Sequence, residues 1–158
     1  MSEMIIAHDL GSSGNKAVLA TVQGEILGEV KHHYPIQHPL PGHAEQDPEQ
    51  WWQAVCSTTR KLLSALSVKG DDIKGITFTG QTQCVVPVDR QGMPLRPAIT
   101  WLDGRSASIM EKKLWTHPKI MGYNVGRLLR FRRSTGGAPG HTGKDRIGKI
   151  LWSKGHGP

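Results

Sequence analysis

The chain has 158 residues, 37% of them hydrophobic and 6% aromatic, with 19 Gly and 10 Pro: enough for one domain with a core and many turns. No apolar run approaches the roughly 20 residues of a membrane helix, and Glu3, His8 and Asp9 interrupt any leader pattern, so a cytoplasmic protein with no membrane partner is expected. The net charge of +7 is uneven, because residues 1–104 carry 8 Lys/Arg against 11 Asp/Glu while residues 105–158 carry 12 against 2.

A basic tail of this kind is the footprint of a nucleic-acid binder. Aromatic residues do not alternate with its arginines as single-strand binding requires, so nucleic acid is not the expected partner. The preferred account is an incomplete domain whose acidic counterparts lie elsewhere. Cys56 and Cys84 are far apart and lack metal-type spacing, so reduced, buried thiols are expected.

In chain order, Met4 to Leu10, the turn Gly11-Ser12-Ser13-Gly14 and Asn15 to Ala20 read as strand, tight turn, strand. Gly11 and Gly14 would let the backbone approach a ligand. Ser12, Ser13 and the turn amides would donate to phosphate oxygens, Lys16 would add a positive charge, and Asp9 would hold a hydrated divalent cation. A surface hairpin whose Gly and Ser only make the turn is the alternative. Ile26 to Val30 predicts a third strand and so an antiparallel meander. His32, His33 and His38 fall in a Pro-rich loop with no paired carboxylate at ligand spacing.

Asp47 followed by Pro48 and Glu49 is a helix start, and the spacing predicts a helix from Pro48 to about Leu66. Trp52, Val55, Thr59, Leu62, Leu63 and Leu66 form its expected core face. Ile73 to Gly80 reads as a strand, Gly80 to Gln83 as a break, and Cys84 to Asp89 as another strand. Polar side chains at such a break face the sheet end where α/β folds bind small polar ligands, which marks Gln81, Thr82 and Gln83 as candidates beside an ordinary turn. Asp89 to Gly92 is a turn. Trp101, Asp103 and Arg105 then offer a flat apolar face, an acceptor and a guanidinium within five residues, the composition of a sugar-binding wall. Ser106 to Trp115 predicts a short helix capped by Ser106. Residues 127–133 are basic and loosely amphipathic, 134–143 are turn-forming, and Lys149 to Trp152 starts a helix that the following glycines cut short.

Together these stretches resemble the N-terminal part of the FGGY carbohydrate kinases, which include xylulokinases and glycerol kinases. Asp9-Leu10-Gly11-Ser12-Ser13-Gly14-Asn15-Lys16 is similar to the family's first phosphate loop, D-x-G-T-[ST]-x-x-[KR]. Gly42 to Trp52 resembles its G-x-x-E-Q-D-P-x-x-W-W segment. Gly80-Gln81-Thr82-Gln83 aligns with the stretch that grips the sugar, and Trp101 to Arg105 with W-x-D-x-R. The likeness is close over about residues 4–105 and loose over 106–158. It differs at Thr82 and Gln83, where xylulokinases carry Met-His, and at the polar stretch after Lys149.

What the resemblance implies is an α/β fold of the actin-like ATPase (ribonuclease H-like) type, a mixed sheet with an antiparallel meander and flanking helices, present here as a partial N-terminal domain spanning 1–158. The implied activity is ATP- and Mg²⁺-dependent phosphorylation of a sugar or polyol hydroxyl. Asp9, Gly11, Ser12, Ser13, Gly14 and Lys16 would hold the nucleotide phosphates, with Asp9 on Mg²⁺ through water. Gln81, Thr82, Gln83, Trp101, Asp103 and Arg105 would bind the sugar. The catalytic Asp of the family is expected beyond residue 158, so this chain alone would be inactive; a regulatory fragment of the same fold is the alternative, and a homodimer is left open.

Overall fold

The structure, a computed structural model, describes residues 3–138 and 140–157; Pro139, inside the predicted turn stretch 134–143, lies outside them. The chain forms two compact units, residues 1–36 with 46–82, and residues 37–45 with 83–158.

The first unit is built on a four-stranded sheet of order β3-β2-β1-β5, from β1 (Met4–Leu10), β2 (Gly14–Thr21), β3 (Ile26–His33) and β5 (Ile73–Gly80). β1, β2 and β3 run antiparallel as the expected meander, and β5 joins β1 in parallel. The alternation of β1 and β2 sends Met4, Ile6, Ala17 and Leu19 to one face, where Leu62 of α1 (Pro48–Ala65) meets them. A side chain of Leu62's size contributes roughly 1.5–3 kcal/mol by such burial. α1 begins as its sequence dictates: Pro48 takes the first position and Asp47 Oδ1 accepts from Glu49 N at 2.9 Å.

The buried face of α1 is Ala54, Val55, Thr58 and Leu62, with Leu63 packed against the core, so Val55, Leu62 and Leu63 lie inside as the spacing predicts and Trp52 and Leu66 do not. Trp52 is 60% exposed and Leu66 37%, so the tryptophan expected in the core stands on the outer face. Thr58 joins the inner face because its hydroxyl donates to Ala54 O and accepts from Asn15, which satisfies it inside, while the part-buried Thr59 hydroxyl meets His8 Nε2 at 3.3 Å. β3 also runs further than expected and takes in His32 and His33.

The short strand β4 (Glu45–Gln46), whose Glu45 belongs to the second unit, pairs with β6 (Ala98–Ile99), and in that unit Thr100 N and Oγ1 both donate to Ala44 O at 3.0 Å. The strand expected over residues 84–89 is reduced to single bridges at Val85 and Val88, because Pro87 has no N–H to give a ladder. Asp89 makes its turn as expected, accepting from Gln91 N and Met93 N. The helix after Ser106 divides into α2 (Ala107–Ile109) and a wider π-type turn, Met110–Leu114. Ser106 does not cap it. Its hydroxyl donates instead to Gly143 O at 2.6 Å. Gly143 has φ +71°, and a Cβ there would lie 2.2 Å from Ala107 N, so only glycine fits.

The basic stretch is a helix, α3 (Val125–Thr135), started by Asn124, whose side chain accepts from Arg127 N. The last helix, α4 (Arg146–His156), starts three residues before Lys149 and continues through Gly155. Cys56 and Cys84 are free thiols, partly exposed where full burial was expected. No helix among the described residues is long and apolar enough to cross a membrane.

Candidate functional site

The turn between β1 and β2 is closed by Gly11 N donating to Gly14 O at 3.0 Å. Its other carbonyls are taken from behind: Gly11 O by the Tyr34 hydroxyl at 2.7 Å, Ser12 O by Gln46 Nε2 at 2.8 Å, and Ser13 O by Tyr34 N at 3.3 Å. His33 Nδ1 also lies 3.2 Å from Ser13 O. In a trans peptide each N–H points opposite the preceding carbonyl, so the amide hydrogens of Ser12 and Ser13 face away from these partners.

An open hollow of about 310 Å³ lies at this turn, lined by Asp9, Gly11, Ser13, Gly14, Lys16 and Lys31, with Asn15, His32 and His33. Asp9 and Lys16 are register partners across the hairpin and both are exposed. Lys16 Nζ pairs with Glu29 at 2.8 Å, and the lysine hydrogen bond and charge hold the Glu29 carboxyl below its ordinary range. Among the described residues no group of three or more His, Cys, Asp or Glu is placed to hold a metal by itself. Asp9 is the carboxylate at this hollow that could hold Mg²⁺, an ion commonly bound by one or two carboxylates together with phosphates.

The two glycines differ. A Cβ on Gly14 would sit 2.5 Å from His32 O, so this residue is glycine because β3 crosses behind it. A Cβ on Gly11 would meet Gly14 O at 3.4 Å, an ordinary contact. At Gly14 the sheet therefore demands glycine whether or not a ligand approaches.

Gln46, which carried no assigned role, is fully buried and joins two candidate segments. Its Nε2 donates to Ser12 O and its Oε1 accepts from Gln81 Nε2 at 2.8 Å. Gln81 Oε1 is itself buried without a hydrogen-bond partner. Thr82 is exposed. Beneath the hairpin, the His8 ring is buried, stacked on Phe78 at 5.2 Å, and takes a hydrogen bond on Nδ1 from Asn15 Nδ2 at 3.0 Å. Burial lowers its pKa against a smaller upward push from Asn15.

Gln83, Trp101, Asp103 and Arg105 belong to the second unit. Trp101 is 39% exposed. Asp103 is wholly buried and both its oxygens are engaged: Oδ2 by Ala44 N at 2.7 Å and by Arg105, Oδ1 by Arg105 N and Nε. Burial pushes this carboxyl up, and the Arg105 hydrogen bonds with the two backbone amides outweigh it and hold it below the usual range. Arg105 also pairs with Glu45 at 2.7 Å, and Arg96 reaches the same Glu45 oxygen at 3.0 Å. Both guanidinium groups lie over the Trp152 ring, at 4.8 and 4.9 Å. Asp103 and Arg105 therefore form a buried knot behind the exposed Trp101.

Gln83 has a left-handed backbone, φ +58°, and an exposed side chain. Its carbonyl accepts from Lys149 Nζ at 2.8 Å, and Lys149 is 0% exposed. No pattern in the sequence marks Lys149 for burial, because a lysine on a short polar helix is ordinarily solvated.

A family model described as the FGGY family of carbohydrate kinases, N-terminal domain, matches residues 4–124. The xylulose kinase of Klebsiella pneumoniae is 37% identical over 156 residues, covering 97% of this chain and 29% of that protein. The glycerol kinase of Rippkaea orientalis is 36% identical over 109 residues, 68% of this chain and 22% of that protein. Among solved structures, the gluconate kinase of Lactobacillus acidophilus superposes with a TM-score of 0.80 at 26% identity, covering 98% of this chain and 28% of that one. The chain thus spans less than a third of the length of the curated relatives it matches.

Proposed function

The chain belongs to the FGGY family of carbohydrate kinases, with the actin-like ATPase fold of its N-terminal domain, and on that footing we propose that it is the phosphate- and sugar-handling part of an enzyme that phosphorylates a sugar or polyol hydroxyl with ATP. The observation that carries this is the hairpin hollow, where Asp9, Lys16 and Lys31 surround a turn whose carbonyls are all engaged by the protein behind it. Phosphoryl transfer depends on positioning and charge stabilisation, and this turn supplies both. Ser12 and Ser13 hold phosphate oxygens through backbone and hydroxyl donors, Gly11, whose own N–H closes the turn on Gly14 O, lets the backbone come close to the anion, and Lys16 exchanges Glu29 for it. Asp9 holds Mg²⁺ through water; when bound, the ion offsets phosphate charge.

Gln81, Thr82, Gln83 and Trp101 bind the polyhydroxylated acceptor, with the unpartnered Oε1 of Gln81 accepting from one of its hydroxyls. Asp103 and Arg105 fix the wall that carries Trp101. On this reading the catalytic base and the remaining nucleotide contacts would come from the rest of the enzyme, since the chain covers 29% of the length of the Klebsiella pneumoniae xylulose kinase.

The test joins this chain to the part of the Klebsiella pneumoniae xylulose kinase that the match leaves out, and measures ADP release with D-xylulose, glycerol and D-gluconate. Sugar-dependent ADP release that Asp9→Ala lowers about 100-fold or more is expected. A folded fusion silent toward every acceptor overturns the proposal. Steady sugar-dependent turnover by the 158-residue chain alone overturns the expectation that this chain is inactive by itself.

A further inference from the structure

The second unit holds one side chain that its proposed role does not explain. Lys149 is a fully buried lysine, and burying an ammonium is costly unless something inside the protein uses it. What it meets is the Gln83 carbonyl, at 2.8 Å. Gln83 is one of the few residues other than glycine with positive φ, a conformation that L residues avoid unless their surroundings impose it. Its side chain is exposed and lines a hollow of about 240 Å³ with Phe131, Thr135, Asp145 and Arg146.

We propose that Lys149 is a positioning residue for sugar binding: its ammonium anchors the Gln83 carbonyl inward, and this holds the left-handed bend that turns the Gln83 side chain out into the hollow. The inference rests on the sugar-kinase reading above and adds to it a residue that touches no substrate. Methionine would fill the space of the lysine stem but leave the carbonyl without its donor. Arginine would keep a donor and a charge. The carboxylates of Asp103 and Asp145 favour the charged ammonium, while burial draws its pKa down. One link follows from the chain alone: Asp145 is the residue before α4, and Lys149 N lies 3.4 Å from Asp145 O, so the first turn of α4 sets where the ammonium arrives.

Nuclear magnetic resonance of the 158-residue chain reads the bend directly. In the unsubstituted chain the Lys149 ammonium is expected to exchange slowly with solvent and Gln83 to show left-handed Cα and Cβ shifts. Rapid exchange, or an extended Gln83, overturns the proposal without any variant. Lys149→Met is expected to move the Gln83 shifts out of the left-handed range with the rest of the spectrum preserved, and Lys149→Arg to keep them. A folded Lys149→Met chain that retains the bend overturns the proposal. In the kinase fusion, Lys149→Met should raise the sugar KM roughly tenfold and leave the ATP KM unchanged. An active parent fusion whose sugar KM ignores the substitution overturns the positioning role, whereas a parent silent toward every sugar overturns the functional reading, and the Gln83 shifts still decide the bend.

Discussion

Gln46 accepts a hydrogen bond from Gln81 at 2.8 Å and, from the other end of the same amide, donates to the Ser12 carbonyl at 2.8 Å. One buried side chain thus joins the turn assigned to phosphate with the segment assigned to sugar. Gln46→Leu keeps the volume and deserts Ser12, Gln81 and the Pro35 carbonyl, to which Gln46 Nε2 also donates at 3.3 Å. Leaving buried polar groups unpaired costs about 1–3 kcal/mol each, so urea denaturation of the chain should show a loss in that range. In the kinase fusion both the ATP and the sugar KM should rise. A rise in one alone would show that the two segments are held independently.

Gly14→Ala and Gly11→Ala should behave differently although both lie in the phosphate turn. The added methyl at Gly14 would meet His32 O at 2.5 Å, backbone that cannot swing aside, and overpacking of this kind costs about 1–3 kcal/mol. At Gly11 the nearest atom is 3.4 Å away, so stability should change by well under that amount. Thermal unfolding of the two variants side by side checks the difference; equal losses would refute the sheet-packing explanation.

His8 should make the chain lose stability in mild acid. Its pKa is lowered in the folded state by burial, from an ordinary 6.5, and its Nδ1 already accepts from Asn15. The unfolded chain therefore binds the proton more readily. The contribution is complete above pH 6.5 and is lost as the pH falls through the folded value, with a slope of at most about 1.4 kcal/mol per pH unit. His8→Gln should flatten this part of the profile between pH 7.5 and 5, measured by denaturant midpoints. An unchanged profile would mean that other histidines carry it.

Asp103→Asn tests the buried knot. It removes the charge facing Arg105, whose side chain is 2% exposed, and breaking such a pair costs about 3 kcal/mol or more. The loss should be visible in the isolated chain with no sugar present. A variant as stable as its parent would return Asp103 to a purely ligand-facing role.

Local signals reveal much of the fold. Strand alternation in residues 4–20, the Asp47-Pro48 helix start and the turn at Asp89 all form as their chemistry requires. Periodicity finds Val55, Leu62 and Leu63 on α1 but errs at Trp52, which it selects by hydrophobicity, and passes over Thr58, which the interior takes because a hydrogen bond to Asn15 awaits it. The site is half legible. Glycine, serine, lysine and aspartate around the first turn point to the phosphate role proposed above, yet the same letters do not tell that Gly14 answers to β3 or that Asp103 spends both oxygens on its own chain. Gln46 and Lys149 are invisible for a plainer reason: their roles are set by residues 34 and 66 positions away in the sequence, Ser12 and Gln83.

The braced turn has a consequence for the cost of binding. Tyr34, Gln46 and the Gly11–Gly14 bond hold every carbonyl of the loop before any anion arrives. A flexible loop would surrender conformational entropy to wrap a phosphate, about 1–2 kcal/mol for each residue it had to freeze. Here that ordering is already complete when the chain folds, so an anion docking on this turn, as proposed, would not bear that cost again.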